Sequence, residues 1–299
     1  MRGGDMRKII IFVALTVLVF VMSLPHTGFS AANEEKPIHA TNIEIVKKAS
    51  FKGKPFGGKP TTTAATGILG ATCTGTKYAI VIGINDYPGD SSDLQYCVAD
   101  AESMKQALTG KYGYPEGNIV FLTNGNANRA SIESAITSLK AKVGEDDEVF
   151  FFFSGHGAKG KADDGDNENI DESIVIWGND GNFNYLWDGE LKQLFDGFAT
   201  NRIIFAFDSC LSGGMTDLAL TGRVINMACS ESGVSYEFSD LGHGQFTYYF
   251  VVEGMISEKA DTNPKEGKIT VEEAFDYAAS NCVYQKPTIS DQFQYDLLP

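Results

Sequence analysis

Arg202-Ile-Ile-Phe-Ala-Phe-Asp-Ser-Cys-Leu-Ser-Gly-Gly214 opens with six residues of almost unbroken apolar and aromatic character. A short, fully apolar run of this kind reads as a strand buried on both faces, as in a parallel sheet covered by helices. It stops at Asp208-Ser209-Cys210, and Ser212-Gly213-Gly214 is expected to turn the backbone sharply. A reactive side chain at the carboxyl end of a buried parallel strand stands where open α/β sheets form their ligand crevice. A cysteine alone means little there, because free cysteine is among the most buried residue types and usually just packs.

A second strand of the same kind changes the reading. Glu148-Val-Phe-Phe-Phe-Phe153 is again short and apolar, and it runs into Ser154-Gly155-His156-Gly157. A histidine between two glycines fills a core poorly; it suits an imidazole on a backbone that another chain can approach closely. Neighbouring parallel strands delivering His156 and Cys210 to one edge make a nucleophile and its base. Around these two runs, strands and helices alternate from Lys77 onward. Strands are expected at Tyr78–Ile84, Asn118–Leu122, Ile174–Trp177 and Val224–Cys229. Helices are expected at Ala99–Leu108, Ser131–Val143 (with Ser131 as cap), Gly189–Phe195, Phe246–Ile256 and Val271–Asn281 (capped by Thr270). That alternation predicts an α/β fold with a mostly parallel sheet covered on both faces.

The motifs Ser154-Gly-His-Gly157 and Asp208-Ser-Cys-x-Ser-Gly213, in this order and spacing, resemble those of the caspase-type cysteine peptidases, and most closely their metacaspase branch. The resemblance covers the chain from about Lys77 to the end. It implies a caspase-like three-layer sandwich around a central six-stranded sheet, and an endopeptidase in which Cys210 attacks the scissile carbonyl and His156 protonates the leaving amine. The backbone N–H groups of Gly157 and Cys210 are then the donors to the oxyanion. Asp208, two residues before the nucleophile, leaves the strand on the same face as Cys210. Tyr96-Cys97-Val98-Ala99-Asp100 resembles the Cys-x-x-Asp before the family's first helix, whose acid joins the one before the nucleophile in the specificity pocket. Two carboxylates in one cleft favour a polypeptide substrate with Arg or Lys at the cleaved position. His243 also lies in a Gly-His-Gly, but it precedes an apolar helix and reads as a turn histidine.

The same resemblance implies an activating Ca2+ held by acids matching Asp171, Asp188 and Asp217, with Trp187 standing where the family has the first acid of a pair. The insertion Asp163-Asp-Gly-Asp-Asn-Glu-Asn-Ile-Asp-Glu172 is rich in hard oxygen donors but is not an EF-hand. Asn169 occupies the place of the turn glycine and Val175 that of the bidentate Glu. A solvated acidic loop is the competing reading.

Residues 1–32 carry Arg2, Arg7 and Lys8, an apolar run from Ile9 to Leu24, and Ser30-Ala31-Ala32 before a polar start, the pattern of a secretory signal peptide. Export and a soluble mature chain without a stable membrane contact are expected. Removing those residues takes the formal charge from −15 to −17, which argues against nucleic acid as a partner. Residues 33–76 mix Lys, Thr, Gly and Pro without periodicity and read as a linker or pro-segment, with residues 77–299 as the peptidase domain and a monomer expected. An enzyme that prefers lysine, preceded by a lysine-bearing arm, points to self-processing near Lys48, Lys52, Lys54 or Lys59, or at Lys159/Lys161. Five cysteines leave an odd thiol in an exported protein, and the pairing of Cys73, Cys97, Cys229 and Cys282 stays open. No Cys-x-x-Cys supports a zinc site. Three readings compete: a caspase-fold binding module without activity, a legumain-like or clostripain-like peptidase of other specificity, and a receiver- or flavodoxin-like sheet. The last is disfavoured because no phosphate-cradling glycine loop follows the first strand.

Overall fold

The computed structural model describes residues 38–53, 55, 63–165, 168–262 and 264–299. The expected signal peptide, Lys54, Lys59 and part of the acidic insertion lie outside them. Residues 38–299 form one compact unit, and among the described residues no helix is long and apolar enough to cross a membrane.

The strands, in chain order, are β1 (Ala40–Val46), β2 (Ala49–Phe51), β3 (Lys77–Gly83), β4 (Ile119–Thr123), β5 (Glu148–Ser154), β6 (Gly157–Ala162) and β7 (Asp171–Trp177). They continue with β8 (Phe183–Trp187), β9 (Ile203–Asp208), β10 (Arg223–Met227), β11 (Tyr236–Phe238), β12 (His243–Gly244) and β13 (Thr288–Asp291). Helices α1 (Cys97–Gly110), α2 (Arg129–Lys140) and α3 (Asp188–Phe195) come between them. Helix α4 (Gln245–Thr247) continues as a π-helix (Tyr248–Ile256), and α5 is Val271–Asn281. The central sheet has six strands in the order β13-β10-β9-β5-β3-β4. All neighbours are parallel except β13, which closes one edge antiparallel to β10. The expected mostly parallel six-stranded α/β sandwich is what the chain forms.

Alternation along the fully apolar strands explains the two layers. Ile80, Ile82, Phe151, Phe153, Phe205 and Phe207 enter one core with Ile132 and Ile136 of α2 and Leu191 and Phe195 of α3. Ala79, Val81, Phe150, Phe152, Ile204 and Ala206 enter the other with Met104 of α1, Phe246, Phe250 of the π-helix, and Phe275 of α5. Each fully buried phenylalanine contributes roughly 1.5–3 kcal/mol by burial, so the strand cores hold the sheet edge where the chemistry sits.

Several boundaries differ from expectation for local reasons. Helix α2 begins at Arg129, because Asn128 rather than Ser131 is the cap: its side chain accepts the Ser131 N–H. Thr270 does cap α5, in a capping box with Glu273. Strand β6 and the first half of β7 arise from a stretch whose glycine and charge hid their pattern. Residues 40–51, without sequence periodicity, form two strands: β1 pairs antiparallel with β6, and β2 pairs parallel with β11.

Candidate active site

Strands β5 and β9 are adjacent and parallel, with Ser154 opposite Asp208. His156 and Cys210 each follow two residues beyond that last rung, so both lie at the same carboxyl edge of the sheet. The turn beyond Cys210 is made by Leu211, which holds φ 60 in the left-handed region, where a side chain costs roughly 1–2 kcal/mol. The expected turn glycines serve close approach instead: a side chain at Gly213 would collide with the Glu231 backbone and one at Gly214 with Glu172. A side chain at Gly157 would collide with the Cys210 carbonyl, so the glycine after the histidine lets the two strand ends meet.

The imidazole is held in one tautomer. His156 Nε2 lies 2.7 Å from the Ser92 carbonyl, which can only accept, so Nε2 carries the proton. Nδ1 is then the lone-pair nitrogen, and it accepts the Lys48 backbone N–H at 3.0 Å. Tyr87, from the loop after β3, stacks on the ring with centroids 4.7 Å apart, and its hydroxyl oxygen accepts the His156 N–H at 3.0 Å. Cys210 Sγ accepts the Ser235 N–H at 3.2 Å. Both side chains are 1% exposed. Burial lowers the imidazole to about 4, helped by the charges of Lys47 and Lys48. Burial also pushes the Cys210 thiol up to about 12. Both groups are therefore neutral at pH 7, with no thiolate available.

Asp100 and Asp208 converge in one buried pocket, and a lysine fills it. Lys48 Nζ lies 2.8 Å from Asp208 Oδ1 and 3.5 Å from Asp100 Oδ2, with all three side chains inaccessible. It also donates to Ser154 Oγ and to the Asp208 carbonyl, each at 3.1 Å. Burial works to lower the lysine, but Asp208, Cys97 and Asp100 hold it well above its ordinary value. Burial raises Asp100 to about 6. Burial also opposes the Asp208 charge, yet Lys48, Ser235 and Thr247 hold that carboxyl below its usual range. Asp208 receives Ser235 Oγ at 2.6 Å and the Thr247 N–H and hydroxyl at 3.0 and 2.7 Å. Asp100 receives Ser154 Oγ at 2.7 Å and the Gly244 N–H at 2.9 Å.

Gly244, Ser235 and Thr247 escaped the sequence reading. Gly244 carried a signal, since it is the second glycine of the other Gly-His-Gly. A side chain there would collide with Asp208 and Lys48, so the glycine keeps the pocket open. His243 itself turns away, lying 2.9 Å from Ser103 Oγ and from the Leu241 carbonyl.

The acidic residues gather beside the cysteine loop. Glu168, Glu172 and Asp188 offer carboxylate oxygens within 4.8 Å of one another. Asp171 instead directs an oxygen at the Ala162 N–H, 2.7 Å away, and Asp217 acts on the group through its charge. Glu172 Oε2 and Asp188 Oδ2 are buried without a hydrogen-bond partner. Burial and neighbouring acids raise Glu172 to about 8 and Asp188 to about 9. Buried carboxylates with vacant oxygens are a donor set for a hard cation. All five cysteines are free thiols.

Residues 77–219 match the family model of the metacaspase peptidase C14 domain. Metacaspase-1 of Schizosaccharomyces pombe is 34% identical over 160 residues, 50% of this chain and 37% of that protein. Metacaspase-4 of Arabidopsis thaliana is 32% identical over 152 residues, 48% of this chain and 35% of that protein. The chain thus spans little more than a third of the length of these relatives. A crystal structure of a protein from Geobacter sulfurreducens superposes with a TM-score of 0.55 at 18% identity, over 74% of this chain and 95% of that one, a likeness of fold.

Proposed function

We propose that this protein, whose residues 77–219 match the model of the metacaspase peptidase C14 domain, is an exported cysteine endopeptidase that cuts polypeptides after Lys or Arg and rests in a latent form. The observation that carries the reading is Lys48 seated on Asp208 and Asp100. A pocket that sequesters a full lysine charge, with five oxygen and sulfur partners around it, is a pocket for a basic side chain.

In the working state Cys210 Sγ gives its proton to His156 Nδ1 and attacks the carbonyl carbon after the basic residue. The imidazolium returns that proton to the leaving amine, and a thioester remains on Cys210. Water then adds to the thioester, the new acid departs, and the thiol is restored. The Ser92 carbonyl fixes the tautomer and Tyr87 fixes the ring plane, so Nδ1 faces the reaction. The Gly157 and Cys210 N–H groups are the oxyanion donors in this reading, and in the latent state Val46 lies opposite Gly157.

Latency follows from Lys48. Its side chain fills the pocket, its N–H occupies the catalytic nitrogen, and the resulting burial keeps thiol and imidazole neutral. Self-processing at the exposed Lys52, downstream of the seated segment, would sever β1 and β2 from the rest of the chain. Ca2+ would be held by Glu168, Glu172 and Asp188. It would supply charge to the vacant Glu172 Oε2 and Asp188 Oδ2 and fix the loop after Cys210, since Gly214 packs directly on Glu172.

The test compares fluorogenic peptides ending in Lys, Arg or Asp, with Cys210→Ala, His156→Ala and His243→Ala variants alongside. Turnover of Lys and Arg peptides falls by roughly 10⁴ in Cys210→Ala and His156→Ala and survives in His243→Ala. Faster cleavage after Asp, or turnover by Cys210→Ala, removes the proposal.

A further inference from the structure

The direction in which the chain crosses the site carries more than the identity of the residue seated in it. In a substrate cut after its pocket residue, that residue's carbonyl carbon faces Cys210, and the N–H of the following residue faces His156. Here the N–H facing His156 Nδ1 belongs to Lys48 itself. The next N–H, that of Ala49, points away from the imidazole to the Ser235 carbonyl at 3.0 Å. Ala49, Ser50 and Phe51 then run parallel to β11, opposite Tyr236, Glu237 and Phe238. A cleavable peptide with its basic side chain in the same pocket must run the other way, antiparallel to β11, with its N-terminal residues along Tyr236–Phe238.

Reversal keeps the spacing between Cα positions along an extended strand and keeps which rungs face each other. The place of Phe51, three residues from Lys48, is therefore the place of the substrate residue three positions before the cleaved one. That place is built of aromatic rings. Phe51 lies 5.6 Å from Tyr236, 5.6 Å from Phe238 and 6.1 Å from Tyr284, centroid to centroid. Tyr284 in turn lies 5.9 and 5.8 Å from Tyr236 and Phe238. Phe51 and Tyr284 are still 48% and 47% exposed, so the ring sits on an open aromatic shelf rather than in the core.

We propose that Lys48–Phe51 is a backward-running mimic of substrate, and that Tyr236, Phe238 and Tyr284 form a subsite for an aromatic or large aliphatic residue three positions before the basic one. This rests on the peptidase reading and sharpens its substrate class. Aromatic pairing adds to apolar burial on such a shelf. The reversed polarity also accounts for the intact seat: the bond after Lys48 is not the one offered to the imidazole, so the segment blocks the site without being cut there.

Two measurements test it. N-terminal sequencing of the wild-type protein after incubation, beside Cys210→Ala, should find no chain beginning at Ala49. A Cys210-dependent Ala49 terminus overturns the reversed polarity. On the full chain carrying Lys48→Ala and Phe51→Ala, which together vacate the pocket and the shelf, Phe-Ala-Ala-Lys should be cleaved with about tenfold higher kcat/KM than Ala-Ala-Ala-Lys, most of it in KM, a ratio worth one decade of affinity. The ratio should fall toward one when Tyr284→Ala is added, and leucine in place of phenylalanine should keep most of it. Equal rates for the phenylalanine and alanine peptides in the presence of Tyr284 overturn the subsite while leaving the peptidase reading standing. Cleavage of neither peptide removes both.

Discussion

Two buried clusters of carboxylates lie at this edge of the sheet, and they are resolved in opposite ways. Asp100 and Asp208 share a lysine from their own chain, and every oxygen facing it is engaged by Lys48, Ser154, Ser235, Gly244 or Thr247. Glu172 and Asp188 keep oxygens with no partner and are pushed toward protonation. Burying unpaired negative charge is expensive, so each cluster must be neutralised, by a cation or by protonation. The first takes its cation from residue 48 and, in the proposed latent state, would lose it on activation. The second is left open to an ion from solution.

The largest effect should come from removing the acid that carries the first cluster. Asp208→Ala leaves Lys48 buried without its nearest counter-charge, at a cost of about 3–5 kcal/mol. We expect a loss of about 10 °C or more in Tm, on the order of several degrees per kcal/mol, together with loss of Lys-peptide cleavage. An unchanged melting curve would mean that Lys48 does not sit on Asp208.

Lys48→Ala empties the same pocket from the other side. It should raise initial peptidase activity above that of wild type by an order of magnitude or more, while Tm falls by a smaller amount because the vacated carboxylates regain water. Wild-type activity equal to that of the variant would remove the latent state from the account.

Asp188→Asn breaks the comparison at the second cluster. Without Ca2+ it should stabilise the protein by about 1–3 kcal/mol, since a buried unpaired carboxylate is removed. If Ca2+ binds as proposed, wild type should gain Tm and activity on its addition, and the variant should gain neither. EDTA is then expected to inhibit wild type and leave the variant unaffected. A variant that is less stable than wild type in EDTA contradicts the unpartnered carboxylate.

The smallest effect is a pH dependence. With Lys48 seated, His156 is held neutral down to about 4. Once released it titrates near the ordinary 6.5. Between those values the released form binds the extra proton, so falling pH favours release. Asp100 works against this, because burial, the largest influence on it, raises its carboxyl to about 6 and is relieved when the pocket opens to water, while loss of the Lys48 charge offsets only part of that. The imidazole shift is the larger, so the stability gap between wild type and Lys48→Ala should still narrow from pH 7 to about 4.5, measured by thermal melts. A constant gap would place the imidazole outside the contact.

Phe150–Phe153, Ile203–Phe207 and Tyr78–Ile82 were legible as sheet because a strand buried on both faces has no polar position to disguise it. Thr270 and Glu273 announced α5 because a capping box is a local arrangement of side chain and backbone. Gly-His-Gly at 155–157 and Asp-Ser-Cys at 208–210 placed the imidazole and the thiol for the same reason: each is set by the end of its own strand. Residues 40–51 gave no such signal. Their strands exist only because β6 and β11 present open edges, and an edge pairs with backbone whatever its sequence.

What the sequence alone determined, then, is whatever depends on neighbours along the chain: the alternating βα order, the two reactive strand ends, and the acids available for a basic side chain. Tertiary structure decided which of many lysines fills the pocket, which way its chain runs, and which acids face one another. Those outcomes depend on contacts between residues as far apart as 48 and 208, where one buried charge must find another.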